Sequence, residues 1–172
     1  MTRPALFRRV RAATPGHLTG GMMLRFLPAL LLAPLAATAQ TAAPCDWQAS
    51  AQALVEPWED NSATFANGAV RVAVLDTVEP AAAAYYFLIL SPPMNEVGDR
   101  TCTVVGFGDG LGYAYMDFAS LKSGYDPARG LIFTIPARIY MPEESFTNVA
   151  RLEITVNQAT GSVTVTSQLG IE

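Results

Sequence analysis

The residues best suited to ligand binding lie in one segment, 106–117, which reads GFGDGLGYAYMD. Glycine occupies every second position over 106–112, so an extended backbone here would present one face without side chains. A flat ligand or a partner strand could approach such a face closely at Gly108 and Gly110. The spacing matches neither a dinucleotide-binding loop nor a phosphate-binding loop. The alternative interpretation, and the commoner use of such glycines, is a hairpin loop with Asp109 and Gly110 at its tip.

Two tyrosines and an aspartate follow the glycines at alternate positions: Tyr113, Tyr115 and Asp117. In a strand, residues with this spacing share one face. Tyrosine combines a rigid apolar ring with a polar tip, which suits stacking on a sugar or anchoring a protein partner. Tyrosines also commonly line the rim of a β-sheet core. We predict a binding face at these three residues, beside the glycine segment, with a protein or a glycan as partner.

A pair of carboxylates that could hydrolyse a glycan is the second candidate site. Asp109 and Asp117 could approach Asp76 or Glu79 across a sheet, and glycoside hydrolysis needs only two carboxyl groups about 5–10 Å apart. No spacing in the sequence forces such a meeting, and all 15 acidic residues lie after Ala39, so most of them must be on the surface. A carboxylate-only glycan hydrolase is therefore the alternative function.

The chain is poor in the side chains that carry most catalysis. The one histidine, His17, lies before position 39, in the part of the chain expected to be removed on export, so the remainder has no imidazole for a catalytic triad or a metal site. The two cysteines, Cys45 and Cys102, are expected to form a disulfide in an oxidising compartment, which leaves no free thiol; two free thiols are the alternative. We predict no catalytic residues, no cofactor and no metal.

The leader is the stretch 24–39, LRFLPALLLAPLAATA. Arg25 supplies positive charge, 26–35 form a short apolar run, and 37–39 give the small-x-small pattern, which together indicate a cleaved signal peptide. A membrane anchor is the alternative, but a spanning helix needs roughly 20 apolar residues, and this run is shorter and contains two prolines.

These observations divide the chain at position 39. We expect 1–39 to be an N-terminal extension and cleaved signal peptide, with Met22 or Met23 as a possible true start, because 1–21 is long for a charged leader. Residues 40–172 then form a single exported domain, periplasmic or secreted, with no membrane span after cleavage. This part has six basic and 15 acidic residues, a formal net charge of −9. Such a charge disfavours nucleic acid as a partner.

The mature part alternates apolar and polar residues with period two, which indicates strands. Asn67 and Gly68 are a strong hairpin signal, and Pro136 should place an edge or a bulge inside its strand. We predict an all-β, mainly antiparallel fold, a small sandwich or partly open barrel of about seven strands. The predicted strands are 63–66, 69–76, 84–91, 100–107, 112–118, 131–140, 146–157 and 162–168, with a polar link over 119–130.

One short helix is expected before the strands, over 47–55. Asp46 could cap its first turn, and Pro57 ends it. Trp47 and Trp58 flank this helix and could form a sugar platform, although packing of the helix onto a sheet is the commoner use of such residues.

The sequence therefore predicts an exported, non-enzymatic β-domain of the bacterial envelope that binds a protein or a glycan. A structural role in a larger envelope assembly is a further possibility.

Overall fold

The computed structural model describes residues 40–170, and in this part of the chain ten strands form two antiparallel sheets. The predicted signal peptide and both candidate start sites lie outside the described residues. The strands are β1 (Gln40–Pro44), β2 (Ser62–Phe65), β3 (Val70–Asp76), β4 (Tyr85–Met94), β5 (Arg100–Phe107), β6 (Tyr115–Met116), β7 (Lys122–Asp126), β8 (Gly130–Met141), β9 (Phe146–Val156) and β10 (Val163–Leu169). Three single-turn 3₁₀ helices lie at Ala51–Ala53, Phe118–Ser120 and Pro142–Glu144.

The first sheet has the order β1-β5-β4-β3-β2, and the second has the order β10-β9-β8-β6, with β7 also paired to β8. This arrangement confirms the predicted all-β sandwich, and the described strands do not close into a barrel. The count exceeds seven because β1 lies at 40–44, where no strand was predicted, and β7 lies in the segment predicted to be a polar link. β7 has the composition of a loop, KSGYD, and it is a strand because its backbone pairs with the edge of β8.

The core lies between the sheets and follows the predicted alternation. Val70, Val72 and Val74 of β3 are buried on one face, and Leu152, Ile154 and Val156 of β9 are buried opposite them. The ring of Phe133 on β8 is 4.9 Å from that of Phe65 and 6.0 Å from that of Phe87, which joins the two sheets. Burial of this kind is the main force holding such a fold together.

The predicted N-terminal helix is reduced to one turn. Only Ala51–Ala53 is helical, Ser50 rather than Asp46 precedes it, and no side chain caps it. The reason is that the segment uses its backbone to extend the first sheet: Val55 N–H donates to Val74 O at 3.1 Å, and Leu54 forms a bridge with Leu75. Its side chains cover the outer face of that sheet at Leu75, Tyr86 and Val104.

The predicted disulfide is present and holds this cover in place. Cys45 and Cys102 are bonded, with their Cα atoms 5.3 Å apart, and the bond ties the segment after β1 to β5. No free cysteine remains in the described part of the chain. The helices of that same part are single 3₁₀ turns, and none of them could span a membrane.

Two local backbone features were predicted, a hairpin turn at Asn67 and Gly68 and an edge or bulge at Pro136. The 66–69 turn joins β2 to β3 with Asn67 at φ 55° and Gly68 at φ 85°, as the Asn-Gly pair predicts. Pro136 lies inside β8, where one neighbour changes from β6 to β7, so its missing N–H costs no ladder hydrogen bond.

Candidate functional site

The glycine segment forms a tight hairpin tip between β5 and Tyr113. Gly108, Asp109 and Gly110 have φ values of 48°, 43° and 79°, a conformation in which glycine is favoured. Phe107 N–H donates to Leu111 O at 2.7 Å, and Leu111 N–H donates to Gly108 O at 2.8 Å. The structure therefore supports the hairpin interpretation, with Asp109 exposed at the tip.

Part of the bare backbone face predicted for a ligand is covered by the chain itself, at Gly106, whereas the Cβ position of Gly110 is open. A Cβ at Gly106 would meet Leu111 O and lie 3.2 Å from the Tyr86 ring. The Tyr86 hydroxyl also donates to Gly110 O at 2.9 Å, so this side chain anchors the loop to β4 of the first sheet. Gly108 and Gly110 therefore shape the loop through their positive φ, and Tyr86 contacts the loop at Gly106 and at the Gly110 carbonyl.

The prediction that Tyr113, Tyr115 and Asp117 share one exposed face is wrong for Tyr113. Tyr113 is 0% exposed, whereas Tyr115 is 45% exposed and Asp117 is half-buried. The chain passes from one sheet to the other between the two tyrosines: Tyr113 exchanges two backbone hydrogen bonds with Tyr85 of β4, and Tyr115 pairs with Arg138 of β8. This crossover breaks the two-residue alternation on which the prediction depended.

The Tyr113 hydroxyl is buried and has no hydrogen-bond partner among the described residues. Burial raises the pKa of this hydroxyl well above its usual range. Burial of this hydroxyl therefore lowers the free energy of unfolding, because a buried polar atom without a partner loses its hydration.

Tyr113→Phe is expected to raise the free energy of unfolding by about 1 kcal/mol, measured by urea denaturation. The raised pKa adds a pH test. The wild type keeps the proton when folded, so its stability is complete below pH about 10, the unfolded pKa, and falls above it. The Phe variant should lose less stability at alkaline pH. The matched control is Tyr86→Phe, which removes the bond to Gly110 and should destabilise the domain. Equal losses in both variants would contradict the assignment.

Tyr115 forms the centre of an exposed cluster that bridges the sheets. Its ring centroid is 5.7 Å from that of Tyr85 at an interplanar angle of 62°, an edge-on contact. The guanidinium carbon of Arg138 lies 5.9 Å from the centre of the Tyr115 ring, within the range of a cation–π contact. Burial, and after it the neighbouring Asp76 carboxylate, raises the pKa of the Tyr85 hydroxyl. Contacts on two sides hold the Tyr115 ring in place.

A shallow hollow of about 170 Å³ lies beside this cluster on the outer face of the second sheet. It is lined by Tyr115, Asp117, Pro136, Ala137, Arg138 and Val149. It presents an aromatic ring, an anion, a cation and an apolar floor within one small area, which is the composition of a recognition site. Sequence reasoning missed Arg138, although its outward position follows from the alternation of β8.

The candidate carboxylates lie at the end of β3 and in the loop after it, at the hairpin tip, and after β6. Asp76 ends β3 and accepts a hydrogen bond from Val78 N–H at 2.8 Å, and Glu79 accepts one from Ala81 N–H at 3.2 Å. Asp109 is at the hairpin tip, and Asp117 precedes the 3₁₀ turn after β6. Within residues 40–170, no group of three or more histidine, cysteine or acidic side chains could hold a metal ion.

The arrangement around Tyr115 can bind a ligand by stacking and hydrogen bonding. No protein-family model matches the chain, and no curated protein and no solved structure is significantly similar to it. The chemistry of this hollow is therefore the basis for assigning a function.

Proposed function

We propose that this chain, after removal of its leader, is an exported, non-enzymatic domain of the bacterial envelope that binds a glycan through the face around Tyr115. The observation that supports this most directly is an exposed tyrosine ring held in place by Tyr85 and Arg138, next to the Asp117 carboxylate. The apolar face of a sugar ring stacks on such an aromatic side chain, and its hydroxyls bond to flanking charged groups.

The charge and composition of 40–172 favour binding over catalysis. The net charge of −9 opposes polyanionic partners. The segment contains no histidine, and its two cysteines are bonded to each other. The disulfide and the apolar leader both support an exported location, periplasmic or secreted.

A protein partner is the second candidate, because the Tyr115–Arg138 contact favours it. Tyrosine and arginine are enriched among the residues that contribute most to protein interfaces, and here they are already stacked together before binding.

Tyr115→Ala is expected to lower affinity at least about tenfold, the effect of losing about 1.4 kcal/mol of contact energy. Binding is measured with the exported protein on an array of bacterial envelope glycans, and by capture from periplasmic extract. Tyr125→Ala is the matched control, because Tyr125 is 67% exposed and lies on β7 at the far end of β8 from Arg138. Equal binding by the wild type and Tyr115→Ala, or no binding by the wild type to either source, would contradict the proposal.

A further inference from the structure

Trp47 is exposed and yet held firmly. Its side chain is 60% exposed, two residues after the disulfide at Cys45. Its ring meets the Tyr86 ring edge-on, with centroids 6.4 Å apart and an interplanar angle of 77°. Tyr86 is in turn bonded to Gly110 O. An indole fixed in this way loses little conformational entropy when a ligand stacks on it.

A hollow of about 180 Å³ lies beside this indole. Its lining is mainly polar: Ser50, Gln52, Asp76 and Thr77 supply hydroxyl, amide and carboxylate groups, and Trp47, Ala53 and Val78 supply the apolar part. A stacking surface surrounded by both donors and acceptors suits the hydroxyl-rich ring of a sugar. The one charged group in the lining is the Asp76 carboxylate, which disfavours an anionic ligand.

The Trp47 hollow is linked to the Tyr115 site through Asp76 and Tyr85, which lie at one end of the sandwich. Asp76, which lines the Trp47 hollow, pairs in register with Tyr85, and Tyr85 pairs with Tyr113. The Tyr85 ring then contacts the ring of Tyr115. The Trp47 hollow lies on the outer side of the first sheet and the Tyr115 hollow on that of the second, and packed sheets are themselves about 10 Å apart, which is further than a single sugar ring reaches.

We propose that Trp47 forms a second subsite and that the ligand is one extended, uncharged oligosaccharide spanning the Trp47 and Tyr115 hollows. This inference rests on the proposed function, since it assigns a ligand class to the same face. It gives one role to the two exposed aromatic side chains that each line a hollow containing polar groups. A longer chain binds more tightly because its second contact is made within the same complex.

The test uses the exported protein and neutral N-acetylglucosamine and glucose oligosaccharides, from disaccharide to hexasaccharide. The chain has two tryptophans, so Trp58→Phe leaves Trp47 as the only reporter of fluorescence. In this variant the emission should shift to shorter wavelength with the longer oligosaccharides. Tyr125 is 67% exposed and lines neither hollow, so Tyr125→Ala is the matched control for affinity and should bind as the wild type does.

Trp47→Ala is expected to lower affinity for the hexasaccharide about tenfold and to leave disaccharide binding at Tyr115 unchanged. Because Trp47 also packs on Tyr86, the unfolding midpoint is measured in parallel. Gln52→Ala, which removes an exposed amide from the hollow, should show a smaller loss with the same length dependence.

Two results would overturn the second subsite while the proposed function stands. One is unchanged hexasaccharide affinity in Trp47→Ala together with a loss in Tyr115→Ala. The other is Tyr115-dependent binding to the envelope-glycan array with no neutral oligosaccharide bound at any length. Binding that is insensitive to Tyr115→Ala would instead overturn the proposed function.

Discussion

Gly112→Ala is expected to destabilise the domain by roughly 3 kcal/mol, the upper part of the range for forcing extra volume into a packed site. A Cβ at this position would lie 2.5 Å from Ala83 O and 2.6 Å from Tyr85 O. Both atoms are backbone carbonyl oxygens, so no side-chain rotation can relieve the contact. Gly112 N–H also donates to Ala83 O at 2.8 Å, which fixes the approach. Urea denaturation of the wild type and the variant measures the loss.

Gly124→Ala is the matched control for this substitution. Gly124 lies on β7, and a Cβ there would have no neighbour within 4 Å, so the change should be neutral or slightly stabilising. Because Gly112 precedes the crossover that places Tyr113 and Tyr115, the variant should also bind ligand more weakly in proportion to its folded fraction. A Gly112→Ala protein as stable as Gly124→Ala would show that the two segments are not packed as described.

Replacing both cysteines, Cys45→Ala with Cys102→Ala, is expected to lower the free energy of unfolding by about 4 kcal/mol. The bond joins positions separated by 57 residues, so its loss greatly enlarges the conformational freedom of the unfolded chain. In the folded state the change also frees the segment that covers Leu75, Tyr86 and Val104.

Chemical denaturation with and without a reducing agent measures this contribution. The wild type should become as unstable as the double variant when reduced, and the double variant should not respond to the reductant. If the double variant and the oxidised wild type unfold at the same urea concentration, the disulfide does not stabilise the fold. Trp47 fluorescence in the Trp58→Phe background shows whether the covering segment detaches before the sheets unfold.

Local sequence signals predicted the parts of this fold that depend on neighbouring residues. β5 runs over Arg100–Phe107 as expected, and the inward side chains of β9 are Leu152, Ile154 and Val156. The turn at Asn67 and Gly68 follows from residues that tolerate positive φ. Pairing of Cys45 with Cys102 followed from there being only two cysteines.

The candidate site was only partly predictable, because its members depend on contacts between distant segments. Tyr113 and Tyr115 have the spacing of one strand face, but each pairs with a different sheet. The 47–55 segment has the pattern of a short helix, but Val55 bonds to Val74 on β3, which only the tertiary structure provides. Local sequence patterns do not predict whether this segment forms a helix or bonds to β3, since tertiary contacts override weak local propensity.

By itself, the sequence determined the class of the fold, the partners of its one disulfide and the absence of imidazole after position 39. These follow from periodicity and from residue counts, which do not depend on strand order. Only the tertiary structure decided that Tyr113 is buried and that Arg138 stacks on Tyr115. It also placed the Trp47 hollow at the same end of the sandwich as Tyr115. The physical reason is that a strand crossover and a long-range backbone bond set which side chains remain exposed, and neither is encoded in the local alternation of residues.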